Sequence, residues 1–147
     1  MDIQVIHNHL KAHGIRPLPN SVAIMKYLLE NFNHPTIEQI YNDLLPSIPT
    51  LSKTTVYNTL KLFCEKKAVS ALYIDEKNVR YEAHSNPHAH FRCKKCGAIA
   101  DVPLEETDVA TFRGSKDLHP DETHIYFLGK CNNCIESDST AKSNGDK

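Results

Sequence analysis

Residues 52–66 read SKTTVYNTLKLFCEK, and their pattern is that of a helix on the surface of a domain. Ser52 is a good N-cap, and Val56, Leu60 and Phe63 recur at i, i+4 and i+7, which places them on one apolar face. The opposite face is polar, basic and aromatic, and its members are Lys53, Thr54, Tyr57, Asn58 and Lys61. We therefore predict a helix over residues 53–66 that packs against a core through its apolar face.

Three shorter amphipathic runs precede this helix. Residues 3–10 carry Ile and Leu at helical spacing, and a second apolar stripe begins near Ser21. The third run follows Thr36, which can form a capping box with Gln39 three residues later. These runs predict three helices upstream of the fourth.

A hairpin is predicted directly after the fourth helix. Residues 69–73 and 79–83 are prone to form strands, and the sequence Asp75-Glu76-Lys77-Asn78 between them has good turn chemistry. Helices followed by a two-stranded wing make a winged helix-turn-helix, which we assign to residues 1–83.

The second half of the chain predicts a smaller α/β domain over residues 84–135, so that the whole chain belongs to the α+β class. Residues 88–93 alternate like a strand, residues 103–112 are expected to form a short helix, and residues 123–128 a further strand. Residues 136–147 show no apolar periodicity, and we expect them to form a disordered tail.

Four of the five cysteines form two Cys-x-x-Cys pairs, which are Cys93 with Cys96 and Cys131 with Cys134. Four thiolates make a closed tetrahedral Zn²⁺ site, and such a site suits a domain too small to build a sufficient apolar core. Redox-active dithiols are the alternative, although the flanking sequence lacks the features of a thioredoxin-like unit. The fifth cysteine, Cys64, is expected to be a small buried side chain of the fourth helix.

Composition limits the class of protein without deciding it. The chain has 147 residues, of which 40% are hydrophobic and 24% charged, as in an ordinary globular protein. It lacks both an apolar run of about 18 residues and a basic N-terminal stretch followed by an apolar segment, so we expect a cytoplasmic protein without a membrane partner.

The net charge of -1 argues at first against a nucleic-acid partner, but the charges are unevenly divided. Residues 1–80 carry nine Lys and Arg against seven Asp and Glu, whereas residues 81–147 carry eight against eleven. The excess of positive charge in the first half gives weak support to a surface that faces DNA, and chance segregation of charge explains it equally well.

A second group of potential metal ligands surrounds the first Cys-x-x-Cys pair. His88 and His90 lie just before it, with Glu82 upstream and Asp101 downstream. A His-x-His pair alone is more often a solvated surface feature than a metal site. The significance of this group depends on the rest of the sequence.

The sequence over about residues 10–134 resembles the ferric uptake regulator family of metal-dependent transcriptional repressors. The strings that carry the resemblance are His34-Pro35-Thr36 with Ile40-Tyr41, Thr54-Thr55-Val56-Tyr57-Asn58-Thr59-Leu60, Arg80-Tyr81-Glu82, His88-Ala89-His90 with the first Cys-x-x-Cys and Asp101, and Gly129-Lys130 with the second.

The resemblance implies a homodimer that pairs through the C-terminal domains, and a regulatory metal site made of His34, Glu82, His88, His90 and Asp101. Nitrogen and oxygen ligands of this kind suit Fe²⁺ or Mn²⁺. A metal bound by residues of both domains is expected to set the angle between them, and with it the spacing of the two recognition helices on an inverted-repeat operator.

By the same resemblance the fourth helix enters the major groove of double-stranded DNA. Tyr57 is expected to contact thymine methyl groups, and its polar neighbours to reach phosphates or base edges. The sequence departs from the family where a Gln-Arg pair usually opens the second helix, since Asn20-Ser21 stands there. The resemblance therefore does not predict a DNA contact at that position.

The family includes sensors of iron and of peroxide, and the sequence shares features with both. Asn58 and Asp101 are typical of peroxide-responsive repressors, whereas Glu82 is typical of iron-responsive ones. We predict an Fe²⁺-dependent repressor of iron homeostasis genes rather than an enzyme. A peroxide sensor that uses the same Fe²⁺ site is the first alternative, and a zinc-stapled protein-interaction module is the second.

Overall fold

A computed structural model describes residues 1–83, 88–105 and 117–145, the last six of them as backbone alone. The chain divides into two compact units, Met1–Ser85 and Asn86–Lys147. The boundary inferred from the sequence, after residue 83, lies two residues before this division.

The first unit begins with four helices. They are α1 (Ile3–Ala12), α2 (Pro19–Glu30), α3 (Ile37–Leu44) and α4 (Lys53–Glu65). Helix α2 starts two residues earlier than the expected position near Ser21, because Pro19 is compatible with the first turn of a helix, where no backbone N–H is needed.

Local capping fixes the starts of α3 and α4. The Thr36 hydroxyl accepts a hydrogen bond from the Gln39 backbone N–H at 3.2 Å, and the Gln39 side chain accepts one from the Thr36 N–H at 2.9 Å. At α4 the Ser52 hydroxyl accepts from the Thr55 N–H at 3.1 Å. These contacts satisfy N–H groups that have no partner within the helix, and they confirm both predicted caps.

The helices enclose one apolar core. Eight of its side chains are fully buried, namely Ile6, Leu10, Ile24, Met25, Ile40, Val56, Leu60 and Phe63. The three α4 residues among them are those predicted to face inward, and Cys64 packs at the edge of the same core. Helix α4 therefore has one face fixed by the core and the opposite face left for other contacts.

A two-stranded antiparallel wing follows α4. It consists of β1 (Ser70–Leu72) and β2 (Arg80–Glu82), with Ala71 opposite Tyr81. Both strands lie inside the predicted runs, so the winged helix-turn-helix architecture of the first unit is confirmed.

The second unit contains a three-stranded sheet with strand order β4-β3-β5. The strands are β3 (His88–Cys93), β4 (Ile99–Pro103) and β5 (Tyr126–Gly129). Strand β3 is antiparallel to β4 and parallel to β5. Residue 103, the expected start of a short helix, ends β4, and residues 106–112 of that predicted helix lie outside the described part of the chain.

The C-terminal segment corrects one expectation. The sequence predicts disorder for residues 136–147, but a helix, α5 (Asn132–Gly145), runs through most of this segment. The Asp138 carboxylate on this helix contacts the ammonium groups of both Lys95 and Lys130, which tie it to the two cysteine pairs. The prediction of disorder is wrong because it relied on the absence of apolar periodicity. Charged contacts between distant residues produce no such periodicity in the sequence.

Among the described residues, no helix is long and apolar enough to cross a bilayer.

Candidate metal centres and nucleic-acid interface

The parallel pairing of β3 with β5 brings the two cysteine pairs together. Cys93 at the end of β3 lies opposite Gly129 at the end of β5, so the segments that follow both strands begin at the same edge of the sheet. The Lys94 N–H donates to the Gly129 carbonyl at 2.7 Å, which joins the two segments directly. Gly97 closes the first cysteine turn with a left-handed φ of 78°, a conformation that favours glycine.

The sulfur positions fit a tetrahedral zinc ion. Ligand atoms of Cys93, Cys96, Cys131 and Cys134 all lie within 4.8 Å of one another. The Cys96 and Cys131 sulfurs are 3.8 Å apart. A Zn–S bond of about 2.3 Å places two tetrahedral ligands about 3.8 Å apart, so the observed separation is the one that zinc requires.

Local contacts within the tetrad lower the pKa of one thiol and raise that of another. The backbone N–H of Cys96 points at the Cys93 sulfur, and this contact, with others from the Cys131 and Lys95 backbone, lowers the pKa of the Cys93 thiol to about 5. The pKa of Cys134 is raised to about 12 by its hydrogen bond with Cys131, then by burial and the other sulfurs. Zinc must therefore displace protons from the cluster as it binds.

The first unit holds two of the predicted regulatory ligands, His34 and Glu82, which we call the N-terminal ligand pair. Both side chains are buried, at 6% and 7% exposure, and the His34 Nε2 lies 3.6 Å from the Glu82 Oε2. A carboxylate is rarely buried to this extent unless it is paired or binds a metal.

The second unit holds the other three predicted ligands, His88, His90 and Asp101, which we call the C-terminal ligand triad. His88 and His90 are two residues apart on β3 and therefore share one face of the sheet, with their Nε2 atoms 3.1 Å apart. Asp101 pairs with His90 in the β3–β4 register, which sets its carboxylate 3.5 Å from the His90 Nε2 and 3.9 Å from the His88 Nε2.

Each of these separations is compatible with shared metal coordination. Two ligand atoms that bind one ion at about 2.1 Å can be at most about 4.2 Å apart, and all four measured separations are shorter. The ligand set of imidazoles and carboxylates differs in kind from the sulfur tetrad. The structure thus contains donors for a hard or borderline ion such as Fe²⁺ or Mn²⁺ as well as a zinc site.

The outer face of α4 has the exposure expected of a DNA-reading surface. Lys53, Thr54, Tyr57, Asn58 and Lys61 are all accessible to solvent, and Tyr57 retains 50% of its accessible surface. The Lys53 ammonium lies 3.6 Å from the Glu38 carboxylate and 5.6 Å from the centre of the Tyr41 ring. The ion pair is exposed on both sides and therefore worth little, so Lys53 remains available to a phosphate.

Two further polar residues of the first unit, Ser21 and Arg80, are largely buried. Ser21, in the pair that replaces the usual Gln-Arg, is buried in α2 at 8% exposure. The Arg80 guanidinium is engaged by the Asp75 carboxylate and by the His34 carbonyl oxygen. The contact of Arg80 with His34, like the bridge from Asp138 to Lys95, joins residues far apart in the chain, and no periodicity or spacing in the sequence signals it.

Comparisons with known proteins agree with this architecture. The model of the ferric uptake regulator family matches residues 12–127. A peroxide-responsive repressor of Staphylococcus epidermidis is 33% identical over 129 residues, which cover 86% of this chain and 86% of that protein.

Solved structures agree as well. The ferric uptake regulator of Helicobacter pylori superposes with a TM-score of 0.73 at 19% identity, over 92% of this chain and 95% of that one. The peroxide regulator PerR of Streptococcus pyogenes superposes with a TM-score of 0.50 at 29% identity, over 90% of this chain and 92% of that one.

A winged helix-turn-helix unit followed by a sheet unit with a four-cysteine metal centre defines a class of metal-dependent DNA-binding regulators. The extent of the match identifies the branch of that class: the chain belongs to the ferric uptake regulator family. It is a metal-dependent transcriptional repressor, and the four-cysteine centre is the site of its structural Zn²⁺.

Proposed function

We propose that this protein is an Fe²⁺-dependent repressor of iron homeostasis genes that binds an inverted-repeat operator as a homodimer in the cytoplasm. The observation that carries the proposal is the division of nitrogen and oxygen ligands between the two compact units. The N-terminal ligand pair belongs to the DNA-binding unit, and the C-terminal ligand triad to the sheet unit.

In this proposal one Fe²⁺ ion is held by ligands from both units, and Mn²⁺ can replace it. An ion can shift a conformational equilibrium only if it binds one conformer more tightly than another. Ligands contributed by both units supply that difference, because only some orientations of the units allow all five to bind at once. Metal binding would thereby favour the orientation in which two α4 helices match the operator spacing.

The proposed DNA contact is made by the exposed face of α4. The Tyr57 ring offers an apolar surface for thymine methyl groups, and Asn58 offers both a donor and an acceptor to base edges. The ammonium groups of Lys53 and Lys61, one on either side, neutralise phosphates.

The proposed dimer contact is made by β5. It lies at the edge of the described sheet, and Phe127 and Leu128 on it retain 46% and 52% of their accessible surface. An edge strand with exposed apolar side chains can pair with the same strand of a second copy, which covers both surfaces in a symmetric interface.

The proposal is tested by anaerobic binding to labelled DNA that carries a family-type inverted repeat. Binding is measured with Fe²⁺, with Mn²⁺ and without added metal, at several salt concentrations. We expect metal to strengthen binding, and the affinity to fall steeply with salt because lysines contact phosphates. Absence of binding in every sample would favour the zinc-stapled interaction module instead.

Peroxide sensing is the second candidate function, and it is favoured by the relatives of 30–33% identity that are named peroxide-responsive repressors. Asp101 and Asn58 agree with it. When Fe²⁺ is bound, it can supply the redox chemistry by which peroxide oxidises a nearby imidazole, and the residues offered for this are His34, His88 and His90.

Brief peroxide treatment of the same DNA-binding samples separates the two candidates. Loss of binding from the Fe²⁺ sample alone, together with an added oxygen atom on one of these histidines, supports peroxide sensing. Metal-stimulated binding that survives the treatment with unmodified histidines supports iron sensing.

A further inference from the structure

His34 has an uncommon backbone conformation for a predicted metal ligand. Its φ is 49°, in the left-handed region, and the next residue is Pro35, which further restricts the backbone of the residue before it. Among the described residues other than glycine, Lys67 alone shares a positive φ, and it terminates α4 in the ordinary way for a helix end. His34 follows the end of α2 by four residues, so helix termination does not account for its conformation.

Strand β2 of the wing holds the segment 34–35 at three consecutive positions. The Arg80 Nη1 donates to the His34 carbonyl oxygen at 3.2 Å, and the Tyr81 N–H donates to the Pro35 carbonyl oxygen at 3.0 Å. The next residue, Glu82, carries the carboxylate that lies 3.6 Å from the His34 imidazole. Both the backbone and the side chain of His34 therefore contact residues of the same short strand.

Arg80 is in turn held by hydrogen bonds to Asp75, which lies in the turn of the wing. Its Nε and Nη2 donate to one carboxylate oxygen of Asp75 at 3.2 and 2.9 Å. The other carboxylate oxygen of Asp75 accepts from the Lys77 N–H at 2.9 Å. The Lys77 N–H and the guanidinium together lower the pKa of the Asp75 carboxyl, so this carboxylate is ionised at neutral pH. Arg80 and Asp75 are mostly buried, at 20% and 14% exposure, which limits screening by solvent.

We propose that Asp75 and Arg80 are positioning residues of the regulatory metal site, which hold the His34 backbone in its left-handed conformation so that the imidazole is directed at Glu82. This inference rests on the proposed function, because it assumes that His34 binds the regulatory ion. It assigns Arg80 a role in metal affinity, and it connects the wing turn to the metal site through one guanidinium group.

The test compares Arg80→Lys with the natural protein. Lysine keeps the positive charge but lacks the planar fork that reaches Asp75 and the His34 carbonyl at the same time. We expect the affinity for Mn²⁺ at the regulatory site, measured by titration of the zinc-loaded protein, to fall about tenfold or more, as for other groups that orient a metal ligand. Asp75→Asn weakens the contact between Asp75 and Arg80 and should also lower the affinity for Mn²⁺.

A double-mutant cycle with His34→Asn separates positioning from general damage. Asparagine tolerates the left-handed region but removes the imidazole. We expect Arg80→Lys to have no further effect on Mn²⁺ affinity in the His34→Asn background, and DNA affinity at saturating Mn²⁺ to stay unchanged in Arg80→Lys alone.

The other outcomes each overturn a specific statement. If His34→Asn weakens Mn²⁺ binding and neither Arg80→Lys nor Asp75→Asn does, the positioning role is wrong and the proposed metal site stands. If His34→Asn itself has no effect, the proposed metal site loses His34 and the positioning role falls with it. An effect of Arg80→Lys that persists in the His34→Asn background indicates a structural role, and a loss of DNA affinity at saturating Mn²⁺ indicates a phosphate contact.

Discussion

Replacement of Cys96 by serine tests how the sheet unit is stabilised. Most of the buried apolar side chains of the first unit form one continuous core. The described part of the second unit, in contrast, buries only Ala89 and the zinc ligands Cys93 and Cys134 among its apolar residues. Full burial of a large apolar side chain contributes about 1.5–3 kcal/mol, and alanine contributes less. A structural zinc ion contributes roughly 10–16 kcal/mol. Within the described part of this unit, zinc binding therefore contributes more stability than apolar burial does.

We expect Cys96→Ser to bind less than about one tenth of the zinc of the natural protein, because a serine hydroxyl remains protonated at neutral pH and is a poor ligand. The second unit should then unfold while the first keeps its own thermal transition. Zinc content after gel filtration and hydrogen exchange of the β3 and β5 amides measure the two effects.

Cys64→Ser is the matched control, since Cys64 lies at the edge of the core of the first unit. It should keep its zinc and lose at most about 1 kcal/mol of stability. A zinc-free Cys96→Ser protein with protected amides in β3 would refute the assignment of stability to zinc.

Three further substitutions probe the regulatory site, the DNA-binding face and the core. His90→Ala should retain zinc and fold but lower the affinity for Mn²⁺ at least about tenfold, as seen by titration, and unchanged metal-dependent DNA binding would remove His90 from the site. Tyr57→Ala should weaken operator binding by about 1–3 kcal/mol in a fluorescence anisotropy assay without lowering the melting temperature, because the ring is 50% exposed; a lower melting temperature with intact DNA binding would contradict this. Tyr27→Phe removes a 2.6 Å hydrogen bond to Asp43 and should cost about 0.5–1.5 kcal/mol of unfolding free energy at neutral pH. Burial, followed by that hydrogen bond, raises the pKa of Tyr27 to about 12. The stabilisation by the Tyr27 hydroxyl should therefore be complete below pH ~10 and should be lost as the pH rises toward 12. A difference in unfolding free energy between the two proteins that persists at pH 12 would be inconsistent with this origin.

The features that the sequence predicts correctly depend on local chemistry. Helix α4 is predictable because its cap, Ser52, and its buried residues follow one another at helical spacing. The zinc tetrad is predictable because two Cys-x-x-Cys pairs are typical of a structural zinc site. In both cases the signal lies within a few residues.

Features that depend on contacts between distant residues are not predictable in this way. Arg80 and His34 are 46 residues apart, and Asp138 and Lys95 are 43 apart. Neither pair shares a periodicity that could be read from the chain. Helix α5 is not predicted from the sequence for the same reason. Charged contacts, rather than an apolar stripe, connect it to the rest of its unit.

Metal-dependent DNA binding should require a ligand from the DNA-binding unit as well as ligands from the sheet unit. Anaerobic fluorescence anisotropy with the inverted-repeat DNA, with and without Fe²⁺, tests this requirement in the natural protein and in His34→Asn. We expect Fe²⁺ to strengthen binding by the natural protein about tenfold or more, and to leave the affinity of His34→Asn at its metal-free value. An equal response to Fe²⁺ in both proteins would contradict the requirement.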